Sequence, residues 1–405
     1  MHKSVPRSIS FWEKSYFENT DWLIVGAGLV GLQCATEIKN TYPNKRVVVI
    51  DQQVMGNAAS LKNAGFACFG SAGELLEEIK RSGEDEAFAL YLHRFYGIQK
   101  LIQKFGGENI GFESTGGYEV FTHKENTKLE EILDKLPELN QSLRGYLKNQ
   151  PYSLNQAAVL KNTDFNQDIF TCKSVNDTGM KVCETAIYAR AEGPIQTHRL
   201  YRAVRLAAEQ SGVEIYESIR VTNYEDTVGG VLVYSDDGRQ LKTERMLLCT
   251  NGFSRTIDPE IPVIPARGQI FVTEPLPWQP LNGIYHADDG YLYFRNLGDR
   301  ILIGGGRNQA FEEESTTEMA NTSSIREYIR SYMEDTVLPT RKLHGGVNFE
   351  FEWSGIMGMG DQRTPIIEAE SSRVYKAVRM GGMGVALSAW VAEKILQLII
   401  DNDGK

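Results

Sequence analysis

The stretch Trp22–Asp51, WLIVGAGLVGLQCATEIKNTYPNKRVVVID, contains one strand, a glycine turn, a helix and a second strand in uninterrupted order. Leu23, Ile24 and Val25 form a short apolar strand, and Gly26, Gly28 and Gly31 follow it at GxGxxG spacing. The first glycine permits a tight turn, the second lets a pyrophosphate approach the backbone, and the third lets the helix pack on the strand. The helix amides then face the phosphates, which places Ala27, Leu29 and Val30 in the same cradle. Val47–Ile50 supplies the second strand. Asp51 ends it, with Gln52 beside it, at the distance from Gly31 where a carboxylate accepts hydrogen bonds from an adenosine ribose. The expected ligand is a dinucleotide, NAD or FAD.

The rest of the composition narrows the class. The chain has 405 residues, enough for two interleaved domains. Lys and Arg total 43 against 53 Asp and Glu, a net charge of −10, which argues against a nucleic-acid partner. Cys34, Cys68, Cys172, Cys183 and Cys249 are scattered and show no CxxC or metal-ligand spacing, so reduced thiols in a cytoplasmic protein are expected. The N-terminal residues have no apolar run of signal-peptide length, and Ser10–Phe17 reads as a small amphipathic arm. Val385–Ile400 is interrupted by Glu393 and Lys394, which predicts a core helix and no membrane span.

Beyond Asp51 a loop of small residues runs from Gly56 to Gly73, suited to close approach to a flat ligand. A helix pair broken near Ser82 and Gly83 is expected over Glu74–Phe105, and shorter helices over Lys128–Leu136 and Leu154–Leu160. Thr197 reads as the N-cap of a helix that Gly212 ends. The apolar run Met246–Cys249 ends in Thr250, Asn251 and Gly252 and returns the chain to the dinucleotide sheet. Residues 262–345 then read as an antiparallel insertion, followed by a glycine-rich stretch from Gly345 onward.

A second glycine-rich helix start follows the strand Val374–Val378, at Gly381, Gly382, Met383, Gly384 and Val385. Its amides can stabilise negative charge, such as a reduced flavin develops on its N1 and C2 carbonyl side, so FAD is favoured over NAD. On a predicted strand Gly290–Arg295, Tyr291, Tyr293 and Arg295 alternate with Leu292 and Phe294. That face suits a carboxylate, with bidentate Arg and two phenols, and is equally consistent with a surface-paired sheet face. His286, Arg267 and Gln269 are nearby further candidates.

Taken together these segments resemble the FAD-dependent oxidoreductases of the D-amino-acid oxidase type, which include glycine oxidase, sarcosine oxidase and D-amino-acid dehydrogenase. The resemblance runs through VGAGLVGL with Asp51, ASLKNAGFA (Ala59–Ala67), CTNGFS (Cys249–Ser254), PARGQIFVTEPL (Pro265–Leu276), RILIGGGRN (Arg300–Asn308), WSGIMGM (Trp353–Met359) and GGMGVALS (Gly381–Ser388). It implies that Gly26–Gly31 and Asp51 hold the ADP half with Val221 beside the adenine. It also implies that Ser60, Leu61, Asn63, Ala64, Gly65 and Phe66 lie along the flavin and that Gly381–Val385 meet its pyrimidine edge. Arg295 is the match to the family's carboxylate-binding Arg on the strand before RILIGGGRN. Two departures stand out: Gly382 and Met383 replace a second Arg, and no Cys stands where sarcosine oxidases attach flavin, so FAD is expected to be noncovalent.

The expected fold is α/β, a Rossmann-like FAD domain (1–90, 195–262 and 346–405) interleaved with a mainly antiparallel α+β substrate domain (91–194 and 263–345). The expected reaction is oxidation of a C–N bond in a small amine or amino acid, with the electron acceptor left open. The alternatives are a nicotinamide dehydrogenase, a tRNA-modifying flavin oxidase, against which the net charge argues, and a catalytically silent FAD-binding interaction protein.

Overall fold

A computed structural model describes residues 10–16, 20–54, 58–161, 163–278, 281–339 and 346–404. Phe17, Gly56 and Gly345, which enter the sequence reading, lie outside the described residues. The chain forms two compact units, the first Met1–Lys62, His198–Ala266 and Ile356–Lys405, the second Asn63–Thr197 and Arg267–Gly355.

The first unit is built on a sheet in the order Ile366–Ala369, Val374–Val378, Gln240–Leu248, Thr20–Val25, Val47–Ile50, Glu214–Tyr216. Its last five strands run parallel and the edge strand Ile366–Ala369 antiparallel. Leu23 lies between Val48 and Met246, so the glycine-turn strand is central and the expected return of Met246–Cys249 to this sheet is observed. Continuous apolar runs such as Val47–Ile50, buried at every position, are what a parallel sheet covered on both faces requires. Helices Leu29–Thr41 and Gly384–Asp403 pack together. The hairpin Val221–Thr227 and Gly230–Ser235 continues from Gln240–Leu248. Val385, Leu387, Val391, Ile395 and Ile399 of the last helix are buried, and among the described residues no helix is long and apolar enough to cross a membrane.

The second unit carries a sheet in the order Phe349–Met359, Ile264–Thr273, Arg300–Gly305, Leu292–Leu297, Ile284–Ala287, Gly117–Glu119, Thr185–Ala189, Phe170–Ser174. From Ile264–Thr273 onward the neighbours are antiparallel, except for the parallel pair Ile284–Ala287 and Gly117–Glu119. Helices Ala72–Ser82 and Glu84–Phe105 break at Gly83, where φ is +88°, as expected. The helix expected over Lys128–Leu136 is longer, Asn126–Asn149, and passes through Pro137. The buried stripe Leu129, Ile132, Leu136, Leu139, Leu143 and Leu147 continues at helical spacing across the proline, so packing outweighs the lost hydrogen bond.

Arg267 and Gln269 are engaged in a buried network with Glu314 and Thr322. Arg267 donates to both oxygens of Glu314 (Nε at 3.0 Å, Nη2 at 2.8 Å), and Gln269 Nε2 donates to Glu314 Oε1 and Thr322 Oγ1, each at 2.9 Å. Thr322 N returns a bond to Gln269 Oε1 at 2.9 Å. This buried network fastens the segment around Glu314 and Thr322 to the strand Ile264–Thr273.

Candidate functional site

The first unit brings the glycine turn, Asp51 and Ser60 together. Gly26 has φ +115°, and a side chain on it would lie 2.6 Å from Cys249 O. On Gly31 a Cβ would lie 1.9 Å from Gly26 O, so this glycine is needed for the helix to pack on its own turn. Gly28 differs: a Cβ there meets only the Ser60 hydroxyl, at 2.9 Å. Ser60 Oγ accepts from Leu29 N at 3.0 Å, so this side chain stands at the N-terminus of helix Leu29–Thr41, whose first turn has no acid. Asp51 Oδ2 accepts from Ala27 N at 2.6 Å and Oδ1 from Gln53 N at 2.7 Å. Burial pushes the Asp51 carboxyl up, with these two backbone bonds pulling the other way. Gln53 supplies the amide, while Gln52 is a half-buried bend residue and Leu61 closes a turn by donating its N–H to Ala58 O. Val221 is buried in the same apolar cluster as Val25 and Ile50, and Ile219 N donates to Asp51 O at 2.9 Å. These features fit a dinucleotide: an acid-free helix start, a glycine at its mouth with only a rotatable hydroxyl over it, and a carboxylate whose oxygens each keep a free lone pair.

The second glycine-rich turn is tied to the loop after Leu248. Asn251, at φ +44°, accepts from Met380 N through its side-chain oxygen at 3.0 Å. Gly381 N donates to Gly358 O at 2.9 Å, and a Cβ on Gly358 would lie 2.5 Å from Asn251 Oδ1. Thus the segments that include Thr250–Gly252, Gly358 and Gly381 converge. The helix begins at Gly384 after Met383, also without an acid in its first turn. A Cβ on Gly381 would meet nothing within 4 Å, and one on Gly382 only Met357 Sδ at 3.7 Å, so the surface before this helix is open.

In the second unit the segment Asn63–Gly70 meets the strands Ile284–Ala287 and Leu292–Leu297. Asn63 Oδ1 accepts from Gly65 N at 2.9 Å and from Thr197 Oγ1 at 3.0 Å. Thr197 is itself the first residue of helix Thr197–Ser211, and its hydroxyl bonds to Asn63, so the expected N-cap position is moved by one. Arg295 is 6% exposed, and its guanidinium is held by backbone carbonyls: Nε donates to Ala64 O at 2.8 Å, Nη1 to Asn296 O at 3.2 Å and Nη2 to Ile195 O at 3.5 Å. No carboxylate among the described residues lies within ion-pair distance of it. Burial pushes Arg295 down to about 10, partly opposed by the charge of Glu113, so it remains cationic at neutral pH.

Tyr293 stays with Arg295, but Tyr291 does not. The strand starts at Leu292, not Gly290, because Asp288 and Asp289 both have positive φ (51° and 56°) and turn the chain ahead of it. The Tyr291 ring packs edge-on to Phe311 at 5.7 Å, whereas Tyr293 packs edge-on to Phe66 at 5.7 Å. His286 pairs with Tyr293 across the strands and also meets Phe66, at 5.4 Å. Glu192 Oε2 lies 3.7 Å from His286 Nε2. Sequence reading missed Glu192: its pairings are long-range, and no local pattern marks AEGP as a site.

A central parallel strand feeding GxGxxG, an acid at the next strand end and a second glycine helix start define a dinucleotide-dependent oxidoreductase. The model of the family described as "FAD dependent oxidoreductase" (DAO) matches residues 21–398, and the chain belongs to that family, with FAD as cofactor. It is 22% identical over 389 residues to hydrogen cyanide synthase subunit HcnC of Pseudomonas protegens, covering 86% of this chain and 84% of that one. To "Probable oxidoreductase OrdL" of Haemophilus influenzae it is 22% identical over 399 residues, covering 95% and 84%. Its fold is similar to that of glycine oxidase from Geobacillus kaustophilus (TM-score 0.70, 18% identity, 94% of each chain). It is also similar to L-proline dehydrogenase from P. horikoshii (TM-score 0.69, 16% identity, 95% of this chain and 94% of that one).

Proposed function

We propose that this FAD-dependent oxidoreductase oxidises the C–N bond of a small amino acid or related amine, with Arg295 and Tyr293 receiving the substrate's carboxylate. The supporting observation is a buried guanidinium without a carboxylate partner among the described residues, fixed by three backbone carbonyls beside an aromatic face. A buried cation is unfavourable unless an anion joins it, and two of the five guanidinium N–H groups are not used by those carbonyls. Relatives whose printed names refer to amino-acid chemistry, glycine oxidase and L-proline dehydrogenase, support the same class.

On this reading the first unit holds the dinucleotide without a covalent bond, through the turn at Gly26–Gly31, Asp51 and the helix start at Gly384. The second unit orients the substrate. FAD, when bound, supplies the acceptor for the hydride that leaves the substrate carbon. The amine lone pair forms the C=N bond, and water hydrolyses the resulting imine to a carbonyl compound and ammonia or an amine. The residues position and desolvate the substrate, and a neutral bound amine needs no protein base. Five free thiols support a cytoplasmic location, and the net charge of −10 argues against nucleic acid.

The test is anaerobic bleaching of the flavin absorbance by a panel of amino acids, N-methyl amino acids and polyamines, repeated with Arg295→Ala and Arg295→Lys. Loss of a charge-assisted pair should raise KM for carboxylate substrates in Arg295→Ala by roughly ten- to a hundredfold and leave plain amines little changed. Equal effects on both substrate types would reduce Arg295 to its scaffolding bonds with Ala64 and Ile195. Flavin content measured alongside separates that case from loss of cofactor.

A further inference from the structure

His286 sits at the junction of four elements in the second unit. It lies opposite Tyr293 on one side and Glu119 on the other in the sheet register, with Phe66 edge-on to its ring. Glu192 approaches from the segment after Thr185–Ala189. The Nε2 atom is buried and makes no hydrogen bond to the described residues. The Glu192 carboxylate, 3.7 Å away, is an ionic neighbour and too far for a hydrogen bond.

Glu192 is built into place. Only 1% of it is exposed, and its Oε1 accepts from Phe69 N at 2.9 Å and Gly70 N at 3.2 Å. A side chain on Gly117 would lie 1.9 Å from Oε2, so that glycine keeps the space the carboxylate occupies. The other acid at this junction, Glu119, is engaged differently: it accepts from Gly73 N at 3.0 Å, and burial pushes its carboxyl up. Burial also pushes the Cys68 thiol up, which leaves it uncharged near neutrality. Glu192 is therefore the anion that can hold a positive charge on the imidazole.

We infer that Glu192 is a positioning residue that keeps His286 an imidazolium, and that this ion pair turns its positive end toward the face of Phe66 and Tyr293, adding to Arg295 and selecting a substrate with an anionic group. The inference rests on the proposed amino-acid chemistry and narrows it, because a face with two cations disfavours a plain amine or a polyamine. Burial works against charging His286, but the Glu192 carboxylate opposes it and the ring is held well above the ordinary imidazole range. The sign follows: the charge is present below that range and persists to neutrality, and it is lost as pH rises through the folded value. KM for carboxylate substrates rises along the same limb.

The experiment uses the FAD-loaded protein and reads two quantities. The first is the titration of the His286 ring by NMR, assigned through its absence in His286→Gln. The second is KM for the best amino-acid substrate and for its decarboxylated amine. Glu192→Gln is the informative variant, since its amide oxygen can still accept from Phe69 and Gly70. The expected result is an imidazolium in the wild type at neutral pH, a ring that titrates at or below the ordinary range in Glu192→Gln, and a KM for the carboxylate raised roughly tenfold in both variants with the amine unaffected. A wild-type ring already neutral at neutral pH, or a titration unmoved by Glu192→Gln, overturns the ion pair. An unchanged KM in His286→Gln overturns its role toward substrate while the amino-acid reading stands. A wild type that turns over amines and no carboxylate is a separate result, which removes the amino-acid reading and this inference together.

Discussion

Gly31→Ala is expected to give a protein that emerges with little flavin, because the new methyl would lie 1.9 Å from Gly26 O, a backbone atom with nowhere to rotate. Either the helix Leu29–Thr41 moves off the central strand or the turn opens. Overpacking of this kind costs about 1–3 kcal/mol, or roughly ten- to a hundredfold in FAD affinity if it falls on the bound state. It also lowers the melting temperature of the apoprotein, since the clash is internal. Gly28→Ala makes the complementary case. Its methyl meets only Ser60 Oγ, a side chain that can turn away at the cost of its bond from Leu29 N, so the apoprotein should melt only slightly below the wild type. If the phosphates approach the backbone at Gly28, FAD affinity nevertheless falls. Titration of each apoprotein with FAD, followed by flavin fluorescence, separates the two outcomes. A Gly28→Ala protein that binds FAD with wild-type affinity would mean that the phosphates do not pass over this glycine.

The contrast between these two glycines shows which parts of the site were legible in the chain. Strand, turn, helix and acid are contiguous between Trp22 and Asp51, so local spacing alone foretold them, whereas the bond from Ala27 N to Asp51 was seen only in the structure. The return of Gln240–Leu248 to the sheet was legible because a strand buried on both faces must be apolar throughout its core portion. The substrate-side details were not. Arg295 finds its Nε partner in Ala64, 231 residues away, and no periodicity announces such a bond. Alternation placed Tyr291 with Tyr293 and Arg295, yet two consecutive aspartates in left-handed conformation start the strand later and send that ring to Phe311. Glu192 was missed for the same reason as the bond between Arg295 and Ala64: its partners Phe69, Gly70 and His286 are joined to it only by the tertiary fold.

Glu314→Ala is expected to be among the most destabilising single substitutions in the second unit. The carboxylate is 1% exposed and takes two bonds from Arg267 and one from Gln269. Removing it strands a guanidinium that is 4% exposed, and breaking a buried pair from one side costs about 3–5 kcal/mol. A guanidinium stays protonated at neutral pH even when buried, so Arg267 cannot escape the penalty by releasing a proton. The double variant Arg267→Met with Glu314→Leu removes both charges and should recover much of the loss, because the desolvation penalty disappears with them. Urea denaturation of the three proteins shows how much stability the double variant recovers. If the double variant were no more stable than Glu314→Ala, the network's contribution would lie in the bonds to Gln269 and Thr322, which set the segment 314–322 on its strand, and not in the ion pair.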